Sequence, residues 1–131
     1  MDGLLHKRGF DLDGIRDLTM LDADHIRHLA SVGQVVGMHS HTHPTVLASL
    51  TPSQQLQEYT SNSDAILRIT GNRPHSLSHP SNSYNASTLE ILRSLGVFVG
   101  FRANMDQLTY SSLELPREDH STIILEMNSC K

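Results

Sequence analysis

The chain has 131 residues, of which 37% are hydrophobic and 18% charged, so it is long enough for one globular domain with a hydrophobic core. Its formal net charge of −4 and the absence of a Lys/Arg cluster argue against nucleic acid as a partner. The single cysteine, Cys130, excludes a disulfide framework and a cysteine-based zinc site, so any metal chemistry would depend on histidine and carboxylate.

The first third of the sequence predicts a lead-in, a helix and a strand within one domain over residues 1–131. Residues 1–18 mix charge, glycine and scattered leucines without a period, and we interpret them as irregular. Thr19 as a cap and Gly33 as a stop predict a helix between them. Residues 35–38 form a short apolar run, which is typical of a buried strand.

The centre of the sequence predicts two further helices and a strand. A Thr-Pro-Ser-Gln opening and a closing glycine indicate a helix over residues 51–71. Residues 79–84 are rich in Pro, Ser and Asn, which is the composition of a loop. An asparagine cap, spaced leucines and a terminal glycine predict a helix over 85–96, and residues 97–101 have the composition of a strand.

The tail holds two more apolar runs, at residues 113–115 and 123–125, which we predict to be strands. Helices and strands then alternate along the chain, which favours an α/β fold of βα units with a parallel sheet. In such a sheet the loops after the strands meet at one edge, so functional residues are expected there.

The most informative segment follows the first predicted strand. His39, His41 and His43 lie within five residues, and Pro44 comes directly behind them. Imidazole is a good zinc ligand, and catalytic zinc sites combine two or three imidazoles with a carboxylate and an open position. We therefore predict that His39 and His43 bind a divalent metal, most simply Zn²⁺. The alternative is that these histidines are polar residues of a strand and its loop.

Residues 39–44 also fit the pattern H-[S/T]-x-x-H-[S/P], the second signature of the polysaccharide deacetylases, which the chain resembles over roughly residues 20–105. Residues 79–85 look like a divergent third signature, the loop that lines the substrate groove in that family. The resemblance implies a truncated (β/α)7 deacetylase barrel and a de-N-acetylase of N-acetylated polysaccharide or oligosaccharide. It also implies that His39 and His43 hold the metal.

The resemblance further suggests which residues would contact the substrate and which would act as acid. Tyr84 could donate to a developing oxyanion, although it could equally serve packing. The family's last signature supplies a histidine as general acid, where this chain has Asn128 instead. His120 with Asp119 is the nearby replacement, although a salt-bridged surface turn explains the same residues. The substrate-binding candidates from the two segments are Pro80, Ser81, Asn82, Tyr84 and Arg117.

Two of the family's functional groups have no counterpart in this sequence. The first signature, an aspartate pair that supplies the general base and a metal ligand, is missing. Asp11 and Asp13 resemble it only superficially, because too few residues separate them from His39. The arginine of the third signature, which orients the base, is also absent. The site is therefore expected to be weak or inactive.

Three functions remain open on the sequence. An active deacetylase needs a carboxylate from Asp11, Asp13, Asp119 or a second chain. A non-catalytic remnant would keep only a metal or sugar site. An amidohydrolase-like or phosphoesterase-like metallohydrolase is the third, with only His79 and His120 available as further ligands.

Two expectations concern the surroundings of the chain. A barrel without its first strands exposes a sheet edge, so we expect a homo-oligomer that covers this edge. The chain as written has neither the apolar core of a signal peptide nor an apolar run long enough to span a membrane. A cytoplasmic location, carbohydrate as the ligand and no membrane segment are the corresponding expectations.

Overall fold

A computed structural model describes residues 9, 14, 19–105, 111–118 and 120–129. Apart from Gly9 and Gly14, the predicted lead-in over residues 1–18 therefore lies outside the described residues, and so does Asp119. No helix within the described ranges is both long and apolar enough to cross a membrane.

Helix α1 spans Ala23–Ser31 and begins later than predicted. Its cap is Asp22, whose carboxylate accepts a hydrogen bond of 2.8 Å from the backbone N–H of His25. The prediction of Thr19 as the cap was wrong, because Asp22 is the residue directly before the first helical turn, where a side-chain oxygen reaches the free N–H groups.

Two further helix predictions are confirmed together with their caps. Helix α2 spans Pro52–Thr70, is capped by Thr51 and ends at Gly71, which has a φ of 77°. Helix α3 spans Ala86–Ser94 and is capped by Asn85. Both caps are reciprocal, since the third helical residue bonds back to the cap. Helix α2 packs against both α1 and α3.

A parallel sheet joins these helices, which confirms the α/β class. Strand β1 spans Ser76–Ser78 and pairs in parallel with β2, Val99–Phe101. Met38 extends the sheet by a parallel bridge to Leu77, and Leu115 extends it on the other side by a parallel bridge to Phe101. Within the described ranges, the chain therefore enters the sheet four times in the same direction.

The predicted strands at 35–38 and 113–115 are reduced to these single bridges. Val35 is 84% exposed, so the apolar run before the histidines is mostly not buried. A strand needs a neighbouring backbone on which to satisfy its N–H and C=O groups. Among the described residues, Met38 forms its only bridge with Leu77.

The prediction of a strand at residues 123–125 was wrong. These residues lie in helix α4, His120–Ser129, and Ile123, Ile124 and Leu125 are 45%, 52% and 70% exposed. Branched side chains favour strands only where a sheet surface accepts them, whereas a helix satisfies its own backbone groups. The proposed equivalence between Asn128 and a histidine after a strand has no basis once this segment is helical.

The hydrophobic core lies between the sheet and the helices. Its fully buried large side chains include Met38, Leu47, Tyr59, Leu77, Leu92 and Leu113. Met38 and Leu77 are each followed by a histidine-containing loop. The core therefore fixes the strand ends from which these two loops emerge.

Candidate metal centre

The rings of His39 and His43 meet at the end of the strand position occupied by Met38. Their Nε2 atoms are 3.1 Å apart and their ring centroids 4.8 Å apart. Ser40 and His43 have φ values of 61° and 56°, so the chain turns twice through the left-handed region between the two rings. This backbone turn brings side chains four residues apart to one point.

A hydrogen bond to a backbone carbonyl of the sheet orients the ring of His39. Its Nδ1 atom lies 2.8 Å from the carbonyl oxygen of Ser78, at the end of β1. Because a carbonyl only accepts, we assign the proton to Nδ1, which leaves the Nε2 lone pair directed toward His43. Metal-binding histidines in proteins are commonly held in this way through the nitrogen that does not bind the metal.

The pair has the separation that a metal requires. Two nitrogens bound tetrahedrally to zinc at its usual distance lie about 3.3 Å apart, close to the observed spacing. The described residues contain no group of three or more His, Cys, Asp or Glu side chains that could hold a metal. His39 and His43 therefore fit two coordination positions, and further ligands would have to come from outside the described residues or from solvent.

Two side chains of helix α2 bind the backbone of the histidine loop, and the sequence analysis missed both. Glu58 accepts hydrogen bonds from the backbone N–H groups of His41 and Thr42, at 2.9 and 2.8 Å, and from the Thr42 hydroxyl at 2.7 Å. Asn62 accepts from the backbone N–H of His39 at 3.0 Å. Burial alone would raise the pKa of Glu58, but the bonds from Thr42 and His41 outweigh it and lower this pKa.

The predicted substrate loop is held tightly by the fold. Pro80 is buried and Ser81 exposed, and Ser81 and Asn82 have left-handed φ values of 49° and 54°. The Asn82 side chain accepts a hydrogen bond from the backbone N–H of Ala103 at 3.0 Å. Part of this loop therefore fixes the backbone after β2 rather than facing a ligand.

Tyr84 stacks on a buried histidine. The rings of Tyr84 and His79 are 4.1 Å apart and nearly parallel, and His79 is 1% exposed. The His79 Nε2 atom lies 2.8 Å from the carbonyl oxygen of Leu113, to which it donates. Burial lowers the pKa of His79, so its ring is neutral at neutral pH.

The Tyr84 hydroxyl is engaged by charged residues from the next parts of the chain. Glu114 and Arg102, which is 3% exposed, act on its pKa in opposite directions. Burial and the Glu114 carboxylate raise the pKa of Tyr84, whereas Arg102 lowers it less. The tyrosine is therefore packed against His79, and its hydroxyl remains protonated at neutral pH.

In the described part of the chain, neither His120 nor Arg117 is hydrogen-bonded to the histidine pair. His120 is the first residue of α4 and is exposed, as is Arg117, and Asp119 lies outside the described residues. Within the described part of the chain, the rings of His39 and His43 bond to Ser78 and to each other. Neither Arg117 nor His120 is among their hydrogen-bond partners.

A larger groove lies away from the histidine pair. It has a volume of about 600 Å³ and is mainly apolar, and its lining includes Val35, Pro74, Phe98, Val99 and Phe101. A smaller recess of about 270 Å³ adjoins the histidine loop and is lined in part by Thr42, Pro44 and Glu58. A search for the site by groove size alone would therefore not lead to His39 and His43.

Several solved structures resemble this fold, among them two deacetylases and one pseudoenzyme. The deacetylase PplD of Streptococcus pyogenes, in complex with acetate, is 21% identical with a TM-score of 0.66. The alignment covers 81% of this chain and 49% of the PplD chain. The chitin deacetylase of the fungal pathogen Colletotrichum lindemuthianum is 29% identical with a TM-score of 0.52, and the alignment covers 57% of this chain and 33% of that enzyme. BA3943 of Bacillus anthracis, a CE4 family pseudoenzyme, is 20% identical with a TM-score of 0.54, and the alignment covers 57% of this chain and 26% of BA3943.

This chain therefore spans half or less of the length of these three proteins. No curated protein matches the sequence significantly. The family model for polysaccharide deacetylase matches residues 14–100, a range that contains the histidine pair, both strands of the sheet up to Gly100, and the loop that carries Tyr84. Because this match covers well over half of the sequence, the chain belongs to the polysaccharide deacetylase family.

Proposed function

We propose that this chain carries the metal-binding part of a de-N-acetylase that acts on N-acetylated polysaccharide or oligosaccharide. The observation that carries the proposal is the 3.1 Å approach of two Nε2 atoms, one of them oriented by Ser78, at the end of a strand in this family's fold. His39 and His43 would hold a divalent ion, with zinc as the first candidate. The ion would supply Lewis acidity toward the acetamide carbonyl and the attacking water.

The chain's own groups would then bind and orient the substrate. The Tyr84 hydroxyl stays protonated at neutral pH because burial and Glu114 raise its pKa, so it could donate a hydrogen bond to a sugar or to a developing oxyanion. Ser81, Arg117 and His120 are exposed, and they would contact the substrate if it extends to them. We keep Asp119 with His120 as the proposed source of the proton for the leaving amine.

A catalytically silent metal or sugar site is the second candidate. Two observations favour it: the described residues supply only two grouped ligands, and one structural neighbour is described as a pseudoenzyme. A general base is worth about two to four orders of magnitude in rate, so its absence alone would make turnover slow.

Amine release from N-acetylglucosamine oligomers, measured with and without added zinc, tests the function. We expect slow release that needs the metal and disappears in a His39→Ala, His43→Ala double variant, because these two rings are the ones that lie at ligand spacing among the described residues. Binding of the oligomers without release would instead support the silent site. Neither binding nor release, or equal release by the double variant, would contradict the proposed function.

A second copy of the chain is the proposed partner, in addition to carbohydrate. Two apolar surfaces are open in the described structure: the groove of about 600 Å³ and the exposed side chains Ile124, Leu125 and Met127 of α4. Exposed apolar patches of this kind are commonly buried by association.

We therefore expect a homodimer or larger assembly by light scattering at micromolar concentration. Leu125→Lys, at a position that is 70% exposed, should shift the population toward monomer without lowering the melting temperature. Leu56→Lys on α2 is a suitable control, since this exposed leucine lies on neither surface. A monomeric unsubstituted protein would contradict the expectation.

A further inference from the structure

Helix α2 contacts the backbone of the histidine loop at three points. The N–H groups of His39, His41 and Thr42 all donate to side chains of this one helix, at distances of 2.8 to 3.0 Å. The acceptors are Asn62 and Glu58, which are four residues apart and therefore lie on the same face of α2. One helical face thus satisfies the donors of a loop that has no strand partner there.

The loop needs such support because of its backbone conformation. Ser40 and His43 both have positive φ values, which are unfavourable for residues other than glycine and persist only where surrounding groups enforce them. The two turns through this region determine where the His43 ring lies relative to the His39 ring. A loop released from α2 would relax toward ordinary φ values and separate the rings.

We propose that Glu58 and Asn62 are positioning residues that set the spacing of the two Nε2 atoms for metal binding. This inference rests on the proposed function, since it assumes that His39 and His43 hold a divalent ion. Glu58 fixes the middle of the loop through three hydrogen bonds, and Asn62 fixes its start through one. Neither side chain is itself a ligand.

Zinc affinity, measured by isothermal titration, is the first readout. Outer-shell groups of this kind typically contribute about 10- to 100-fold in metal affinity, so we expect Glu58→Ala and Asn62→Ala each to weaken zinc binding by about this factor. Asn62→Asp keeps the acceptor oxygen and should restore binding to within about threefold of the unsubstituted protein. A merely structural role for this residue would not produce that difference.

Gln57→Ala is the matched control. Gln57 is the neighbour of Glu58 on α2, and its side chain bonds only to Ser61 on the same helix, at 2.8 Å. Zinc affinity should be unchanged in this variant. As a second readout that needs no metal, the amides of His41 and Thr42 should exchange faster with solvent in Glu58→Ala, whereas amides in α3 should not.

The outcomes separate this inference from the proposed function. Equal zinc affinity in the unsubstituted protein and in Glu58→Ala, or an equal loss in Gln57→Ala, would overturn the positioning role alone. An unsubstituted protein that binds no zinc would overturn the metal centre and this inference with it. If Glu58→Ala does not fold, the comparison of Asn62→Ala with Asn62→Asp decides the question.

Discussion

Zinc binding is expected to disappear when His39 and His43 are both replaced by alanine. Their Nε2 atoms, 3.1 Å apart, are the only two imidazole nitrogens that the described residues place at ligand spacing. A metal held by these two rings would lose its site without them, because the described residues contain no group of three or more possible ligands elsewhere. Isothermal titration at micromolar protein concentration measures this effect.

His41→Ala is the control for this loss. His41 lies between the two proposed ligands and is exposed, but only its backbone N–H is bonded, to Glu58. Since alanine keeps this N–H, the loop should retain its shape and zinc affinity should be nearly unchanged. Equal affinity in the unsubstituted protein and the double variant would show that zinc binds elsewhere.

The largest loss of stability is expected for Gly100→Ala. Gly100 lies in β2, and a Cβ there would overlap the carbonyl oxygen of Leu113 and approach its carbonyl carbon to 2.8 Å. These are backbone atoms, so the clash can be relieved only by moving the chain at Leu113, whose carbonyl also accepts from His79. We expect a loss of about 3 kcal/mol in the free energy of unfolding, measured with urea.

Gly96→Ala provides the comparison. Gly96 has a φ of 79°, but nothing lies within 4 Å of the position that a Cβ would occupy. Its replacement should cost about 1 kcal/mol, from the left-handed conformation alone. If Gly100→Ala lowers the free energy of unfolding no more than Gly96→Ala does, the backbone around Leu113 can move at little cost and the expectation is wrong.

The parts of this structure that were predicted correctly are those encoded within a few residues. The caps Thr51 and Asn85, and the glycine after α2, act through hydrogen bonds and φ preferences of the adjacent turn. The parallel α/β arrangement followed from the alternation of helices and strands. The family could be recognised because the histidine spacing is also a local pattern.

Apart from the cap of α1, where Asp22 rather than Thr19 is the capping residue, the errors and omissions discussed next involve residues distant in sequence. Residues 123–125 have the composition of a strand, but no sheet surface receives them and they are helical. Glu58 and Asn62 lie more than fifteen residues from the loop that they bind. Polar residues on a helix give no sign in a single sequence that they will contact a loop rather than water.

The same limit applies to His79. It was considered as a further metal ligand for a different class of hydrolase, but it is buried, stacked on Tyr84 and bonded to the backbone of Leu113. The partner is 34 residues away along the chain. Burial of this histidine depends on how the chain after β2 returns to the sheet, which the local sequence does not specify.

Anomalous diffraction from crystals soaked in zinc is the most direct test of the central claim that His39 and His43 bind the same cation. We expect a single strong peak bonded to both Nε2 atoms, with His39 Nδ1 still donating to the Ser78 carbonyl. The same map would identify the atoms that complete the coordination shell. Zinc bound elsewhere, with the two rings still bonded only to each other and to Ser78, would contradict the account.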